Sequence, residues 1–333
     1  MSERSFADLQ TIMRGFQESR VLLTAVELDL FTAVGAGATP AQASSKLGTD
    51  LRATQTLLNA LVAVGALAKE GEIFRNTPET ARYLVAGSPD YARPALMHTV
   101  HMFDTWATLT DCVRAGTSVI PPGVDRRDEE WTESFIAAMH RGAQGTAAQM
   151  VRAVGVKGVR RLLDVGGGSG AYSIAFARAG PSLRAEVFDL ESVLPIARKH
   201  IDEAGVGERV ATRAGNLRTD EFGEGYDLVL LSSICHMLNP EENQDLIRRC
   251  YRALAPGGRV VIRDFILEPN RTAPKFAALF AINMLVGTKS GSTYTEAEYE
   301  SWLTDAGFGD FKRPDPAGDL MVATRRNPAS RGK

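Results

Sequence analysis

From residue 160 to residue 267 the chain alternates between two hydrophobic patterns. Short, nearly continuous apolar runs are "RRLLDV" (160–165), "RAEVFDL" (184–190), "RVATRAGN" (209–216), "YDLVLLSSI" (226–234) and "GRVVIRDFIL" (258–267). Between them lie longer segments whose apolar residues return at helical spacing. That alternation predicts a mostly parallel sheet covered by helices on both faces. The later stretch "FGDFKRPDPAGDLMVATRR" (308–326) reads as two strands joined by a Pro/Gly turn, and so as an antiparallel addition at one edge.

The first 90 residues follow a different pattern. "QESRVLLTAVELDLFTAV" is amphipathic at helical spacing. "TPAQASSKLG" opens on a Thr39-Pro40 cap and first turn and stops at Gly48, and "DLRATQTLLNALVAVGAL" gives another helix. "LAKEGEIFRNT" reads as two short strands around Glu70-Gly71. This is the order of a winged helix. Residues 95–155 are expected to be helical around a loop, "RAGTSVIPPGVDRRDEE" (114–130). On the second of those helices Trp131, Phe135 and Met139 share one face, which suits either a core position or a wall closing over a ligand. The resulting division is 1–95, 96–155 as a helical connector lining a substrate site, and 156–327.

Charge argues against the DNA-binding role that a winged helix suggests. Residues 1–100 carry nine Lys/Arg against ten Asp/Glu, and the helix that would read bases, 50–65, offers only Asp50 and Arg52. A DNA-reading module needs a basic stripe and long polar side chains. The whole chain of 333 residues has a formal net charge of −2 with 44% hydrophobic residues, so neither nucleic acid nor an anionic membrane is implied. No apolar run approaches the roughly 18 residues of a membrane span. Residues 1–16 are charged throughout and lack a signal-peptide stretch. With three well-separated cysteines, Cys112, Cys235 and Cys250, a reducing, cytoplasmic setting is expected.

Chemistry concentrates at the ends of the predicted strands. "LLDVGGGSGAYSIAFA" sets Gly166, Gly167, Gly168 and Gly170 between a strand and a helix, where the main chain can turn tightly and a ligand can approach it. Gly166-x-Gly168-x-x-Ala171 fits the dinucleotide fingerprint, with Asp189 as an acid for ribose hydroxyls, so NAD and S-adenosylmethionine both remain open on this motif. Each later run also ends in polar or glycine residues: Gly215-Asn216, then Ser232 and His236, then Asp264. In open α/β sheets ligands bind beyond the carboxyl ends of the strands. A row of groups from five strands therefore argues for a site there.

At these residues the chain closely resembles the small-molecule O-methyltransferases of the acetylserotonin/caffeate type, which use S-adenosylmethionine. The shared motifs run along nearly the whole chain: "AVELDLF", "LLDVGGGSG", the "DL" after the second strand, "YDLVLLSSICH", "PEEN", "LAPGGRVVIRDF" and "YTEAEYESWL". The resemblance implies a Rossmann-like, doubly wound methyltransferase domain preceded by a helical, winged-helix dimerisation domain, a homodimer formed through residues 1–95, and no metal. It implies cofactor contacts at Asp164, Gly166, Gly168, Gly170, Asp189, Asn216, Leu217 and Ser232, with His236 as catalytic base steadied by Asp264. Acceptor contacts implied by family position and helix face are Trp106, Met139, His140, Phe276, Phe280, Asn283 and Met284. The chain departs from the pattern at Met237-Leu238, where Asp-Trp is usual, at Asn216 in place of Asp, and at Thr293, where plant members carry a second glutamate.

"SSICHMLNPEEN" (232–243) sets Cys235 beside His236. Read as strand residues, the two point to opposite faces, which disfavours a thiolate–imidazole pair and makes Cys235 a small core residue. A metal at His236 would need further ligands that do not accompany it, and the other candidate set is His98-x-x-His101-x-x-Asp104. A neutral imidazole suits removal of a proton from a phenol or enol. The expected activity is methyl transfer to a hydroxyl of an aromatic or polyketide-like small molecule. Alternatives are C-methylation of a phenolic ring, a non-methylating hydroxylase or cyclase of the same fold, a ligand-responsive regulator and a nicotinamide dehydrogenase.

Overall fold

The computed structural model describes residues 3–120, 129–315 and 318–326; positions 121–128 of the loop expected at 114–130 lie outside the described residues. The chain forms two compact units, residues 1–104 and 105–333. The segment expected as a separate connector, 96–155, is therefore shared between them.

In the first unit, α1 (Phe6–Arg14), α2 (Phe16–Glu27), α3 (Leu30–Val34), α4 (Pro40–Leu47) and α5 (Leu51–Ala63) precede a hairpin of β1 (Leu67–Glu70) and β2 (Ile73–Asn76). Then come α6 (Pro78–Leu84) and α7 (Arg93–Ala107), within which the division between the units falls. The long amphipathic stretch expected over 17–34 is broken: Asp29, left-handed at φ 55°, turns the chain between α2 and α3. Helix α4 begins as its sequence predicts. Thr39 and Gln42 cap each other's backbone N–H groups, Pro40 fills the first turn, and Gly48 closes the helix at φ 65°. Leu30, Phe31, Leu58, Leu61 and Phe74 are buried together in the core of this unit. By contrast Phe6, Leu9, Ile12, Met13 and Phe16, along α1 and its junction with α2, are exposed.

The second unit contains α8 (Leu109–Ala115) and the long α9 (Glu129–Val154), followed by β3 (Arg161–Val165), α10 (Ala171–Ala179), β4 (Arg184–Asp189), α11 (Leu194–Glu203) and β5 (Val210–Ala214). After these come β6 (Tyr226–Ser232), α12 (Pro240–Ala253), β7 (Leu254–Arg263), α13 (Lys275–Gly287), α14 (Glu296–Ala306), β8 (Phe308–Lys312) and β9 (Leu320–Arg325). The strand order is β5-β4-β3-β6-β7-β9-β8. The first five strands are parallel, β9 is antiparallel to β7, and β8 is antiparallel to β9 at the edge.

Period-two alternation sends neighbouring strand residues to opposite helical layers. Leu163, Val229, Leu231, Val260 and Ile262 pack with α12 and α14. Leu162, Leu228, Leu230 and Val261 pack with α9, α10 and α11. By the same parity Asp164, Ser232 and Arg263, at the carboxyl ends of β3, β6 and β7, belong to the α9/α10 side. Ser232 and Arg263 are partners in register. Among the described residues no helix is long and apolar enough to cross a membrane.

Candidate active site

The loop after β3 is built on glycines that no other residue would replace easily. Gly166, Gly168 and Gly170 have φ of 65°, 55° and 72°. A Cβ on Gly167 would stand 2.9 Å from the Asp164 carboxyl carbon, and one on Gly166 would overlap Ile234. The loop is tied to the next strand at two points: Gly166 N–H donates to the Phe188 carbonyl at 2.7 Å, and Gly168 N–H to Asp189 Oδ2 at 2.8 Å. Asp189 Oδ1 accepts the Leu190 N–H at 2.8 Å. Each oxygen thus keeps acceptor capacity for a ligand, since a carboxylate offers about four lone-pair sites. Burial raises the Asp189 pKa, and the two N–H bonds oppose that shift.

Asp164 is buried and accepts the Ser173 hydroxyl at 2.8 Å. Burial pushes its carboxyl up to about 7; the Ser173 bond opposes the shift and the Asp189 charge adds to it.

These groups line a cavity of about 380 Å³, which falls in the usual ~300–1,000 Å³ range of small-molecule sites. Of the residues expected to hold a cofactor, Asp164, Gly166, Gly168, Asp189, Asn216, Leu217 and Ser232 all line it; Gly170 lies behind them at the start of α10. Asn216 Oδ1 accepts the Arg218 N–H at 2.9 Å, and Asp220 Oδ2 accepts the Asn216 N–H at 2.9 Å, which fixes the turn after β5. Phe135 and Met139 also line the cavity, so the apolar face of α9 serves as a wall there.

S-adenosylmethionine fits this set of groups. The glycine loop admits a ligand against its backbone, Asp189 suits a ribose diol, and Asp164 lies where a cationic tail could neutralise a buried carboxylate.

His236 stands beyond β6. The strand stops at Ser232, and Cys235–Met237 form a single 3-10 turn, so the strand-parity argument for Cys235 and His236 does not apply. The two side chains nevertheless part. Cys235 is fully buried against α12 and α14, and burial raises its thiol pKa far above the usual value. His236 turns to Asp264: Nδ1 is 2.7 Å from Oδ1, and the His236 backbone N–H donates to Oδ2 at 3.1 Å. Oδ1 also accepts the Phe265 N–H at 2.8 Å. A carboxylate only accepts, so Nδ1 carries the proton and the neutral ring presents Nε2 as its acceptor. No partner for Nε2 is found among the described residues.

The turn is anchored from behind by buried Asn243 of α12, whose Nδ2 lies 2.9 Å from the Cys235 carbonyl and 3.2 Å from that of Leu238. Thr293, at the plant glutamate's place, is buried and donates to the Ala277 carbonyl at 3.1 Å, away from the His236–Asp264 pair.

Aromatic rings surround the imidazole. Phe280 meets it edge-on at 4.9 Å and Phe265 lies 5.6 Å away. Phe265 contacts Phe280 at 4.0 Å and Phe276 at 5.2 Å. Phe265 also lines the cavity and so joins it to His236, a residue that sequence reasoning passed over although it follows Asp264 directly. His236 itself does not line the cavity. Among the expected acceptor residues only Met139 lines it. Trp106 and Asn283 bond to each other at 3.0 Å, and Met284 is buried.

His140 is placed elsewhere. Its Nδ1 lies 2.8 Å from the Ser169 hydroxyl of the glycine loop, and its ring stacks on His200 at 3.9 Å. Burial, and secondarily His200, hold its pKa below the usual range. Among the described residues no group of His, Cys, Asp or Glu is gathered as metal ligands are, His98, His101 and Asp104 included.

Comparison with known proteins gives two family matches, an O-methyltransferase domain over residues 106–309 and an O-methyltransferase dimerisation domain over residues 10–86. A 3-hydroxy-5-methyl-1-naphthoate 3-O-methyltransferase of Streptomyces sahachiroi is 36% identical over 91% of this chain and 90% of its own. The tetracenomycin polyketide synthesis 8-O-methyl transferase of Streptomyces glaucescens is 31% identical, with 98% of each chain covered. The solved structure of PigF with S-adenosylhomocysteine superposes with a TM-score of 0.88 at 26% identity, covering 97% of this chain and all of that one.

Proposed function

Because this chain belongs to the S-adenosylmethionine-dependent O-methyltransferase family, we propose that it methylates a hydroxyl on an aromatic or polyketide-like ring, with His236 as general base. The observation that carries this reading is the 2.7 Å contact of His236 Nδ1 with Asp264, which leaves Nε2 as the acceptor on an imidazole flanked by Phe265 and Phe280. The bound cofactor supplies an activated methyl group on a sulfonium sulfur. Asp189 and the Gly166–Gly170 loop would hold its nucleoside, and Asn216 and Leu217 would contact its adenine. Nε2 takes the acceptor's hydroxyl proton, and Asp264 stabilises the imidazolium that results; such a base is worth roughly 10²–10⁴ in rate. Phe265, Phe276 and Phe280 offer flat apolar surfaces to an aromatic ring. The named reactions of the two Streptomyces relatives support an aromatic acceptor of this kind.

We also propose a homodimer formed through the first unit, supported by the matched dimerisation domain and by the exposed apolar face of α1.

The test of the reaction is incubation with methyl-labelled S-adenosylmethionine and a panel of hydroxynaphthoates and hydroxyanthraquinones. Label recovered as an aryl methyl ether is the expected result. Label on ring carbon, or consumption of acceptor without label, would overturn it.

A further inference from the structure

Arg263 is placed for ligand contact but has no role in the chemistry above. It is the last residue of β7, turned to the α9/α10 side with Asp164 and Ser232, and it lines the cavity. Its Nε lies 2.8 Å from Asp319 Oδ2, its Nη1 donates to the Ser233 hydroxyl at 3.4 Å, and its guanidinium carbon stands 5.9 Å from the centre of the Tyr172 ring. A guanidinium has five N–H donors. Nε and one donor of Nη1 are thus engaged, and no protein acceptor is found among the described residues for the rest.

Ser233 gives independent support. It is held at φ 59°, in the left-handed region that strains a non-glycine residue. Its N–H is fixed to the Arg263 carbonyl at 2.8 Å, so the strained turn delivers its hydroxyl to the guanidinium. The charges lining the cavity are two carboxylates, Asp164 and Asp189, and two cations, Arg218 and Arg263. Arg218 is 45% exposed and already paired with Glu242, whereas the Arg263 side chain is only 20% exposed. A partly desolvated guanidinium fork with donors to spare matches a planar carboxylate, which it can hold through two parallel bonds.

We propose that Arg263 is the carboxylate-binding residue of this cavity. Two ligands could bring that group: the amino-acid tail of the cofactor, whose ammonium Asp164 would take on the same side of the sheet, or an aromatic acid acceptor. The first source rests on the cofactor reading and the second does not. In either case Asp319 is the protein's own carboxylate, holding the guanidinium while the ligand is away and sharing it when the ligand arrives.

The test is calorimetric binding to the full-length protein and to Arg263→Met, Arg263→Lys and Asp319→Asn. The ligand pairs are S-adenosylhomocysteine against 5′-deoxy-5′-methylthioadenosine, which lacks the amino-acid tail, and 3-hydroxy-2-naphthoate against 2-naphthol. A charge-assisted hydrogen bond is worth ~1.5–3 kcal/mol, so Arg263→Met should weaken the carboxylated member of one pair by about 10- to 100-fold and its partner less than about twofold. The pair that responds identifies the source. Arg263→Lys should fall between, because an ammonium keeps the charge but not the fork. Asp319→Asn should move the other way, tightening the same ligand, a direction that general damage to the fold does not produce. If Arg263→Met and Asp319→Asn leave both ratios unchanged, Arg263 is a strand-end structural residue and the proposal is wrong. If neither adenosine ligand binds the unaltered protein, the cofactor reading fails instead, and the naphthoate pair alone decides for Arg263.

Discussion

His236 and Asp264 are joined twice, ring nitrogen to one carboxylate oxygen at 2.7 Å and backbone N–H to the other at 3.1 Å. The acid therefore sets both the ring's tautomer and the position of the turn that carries it. His236→Ala should lower turnover by about two to four orders of magnitude and leave the affinity for S-adenosylhomocysteine nearly unchanged. Asp264→Asn should fall between that variant and the unaltered enzyme, since Asn keeps the shape but lacks the charge that stabilises an imidazolium. Steady-state rates alongside calorimetric titration separate the two effects. Full turnover by His236→Ala would remove the base from the mechanism, and loss of cofactor binding would make the residue structural.

Asp189 faces the cavity while holding two backbone N–H groups, so its replacement has two consequences. Asp189→Ala should weaken S-adenosylhomocysteine at least about tenfold, through loss of the ribose acceptor and release of Gly168 and Leu190. Asp189→Asn, which can still accept one of those N–H groups, should lose less. Titration giving equal affinities for all three proteins would place the ribose elsewhere.

Asp164 makes stability depend on pH in a direction opposite to that of an ion-paired acid. Its carboxyl has an ordinary value of 3.8 and is raised by burial to about 7 in the fold. Between those pH values the folded chain binds more protons than the unfolded one, so stability falls as pH rises from about 4 to about 7 and this group contributes no further change above that. Asp164→Asn removes the dependence. The difference in Tm, variant minus unaltered protein without ligand, should become more positive between about pH 5 and about pH 8 by thermal unfolding. A constant difference would show that Asp164 does not titrate in that range.

Cys235 is a core thiol despite its neighbour. Iodoacetamide should leave it unmodified in the native protein at neutral pH, as its buried, raised pKa suppresses the thiolate. Cys235→Ala should cost roughly 1 kcal/mol of stability and little activity. Rapid alkylation accompanied by inactivation would reverse that assignment.

The apolar face of α1 predicts association. Phe6, Ile12 and Met13 are 72%, 55% and 68% exposed in the single chain. Sedimentation should give a dimer at micromolar concentration, and combined replacement of these three by Ser should shift it toward monomer. A monomer for the unaltered protein would refute the proposed assembly.

Much of this arrangement was legible because strand ends are punctuated by chemistry. Apolar runs stopping at Asp164, Asp189, Ser232 and Asp264 marked the strands of the parallel sheet and the edge where the cavity lies, and the first, second and third of these residues line it. Other features depended on geometry that periodicity does not encode. The apolar run of β6 continues through Ile234, which hid the change to a 3-10 turn before His236. His140 shares a helix with Met139 but, one position on, meets Ser169 and His200, contacts that helix face alone does not foretell. Arg263 carried a usable signal, since counting forward by two from Val261 sets it on the cavity side of β7. Phe265 carried little, because its place depends on how the chain leaves the strand.

Asn243 holds the turn of His236 from α12, while Phe280, which meets the imidazole edge-on, and Phe276 beside it come from α13. In the proposed mechanism, the proton-accepting group and the aromatic surface offered to its client would thus be inherited on separate segments. Random change in α13 can re-cut the recognition surface while the anchor in α12 stays intact. Under that mechanism, such modularity would make acceptor range the readily evolvable property of this scaffold. It also makes α13 the segment to diversify in a search for new substrates, with Asn243, His236 and Asp264 left untouched.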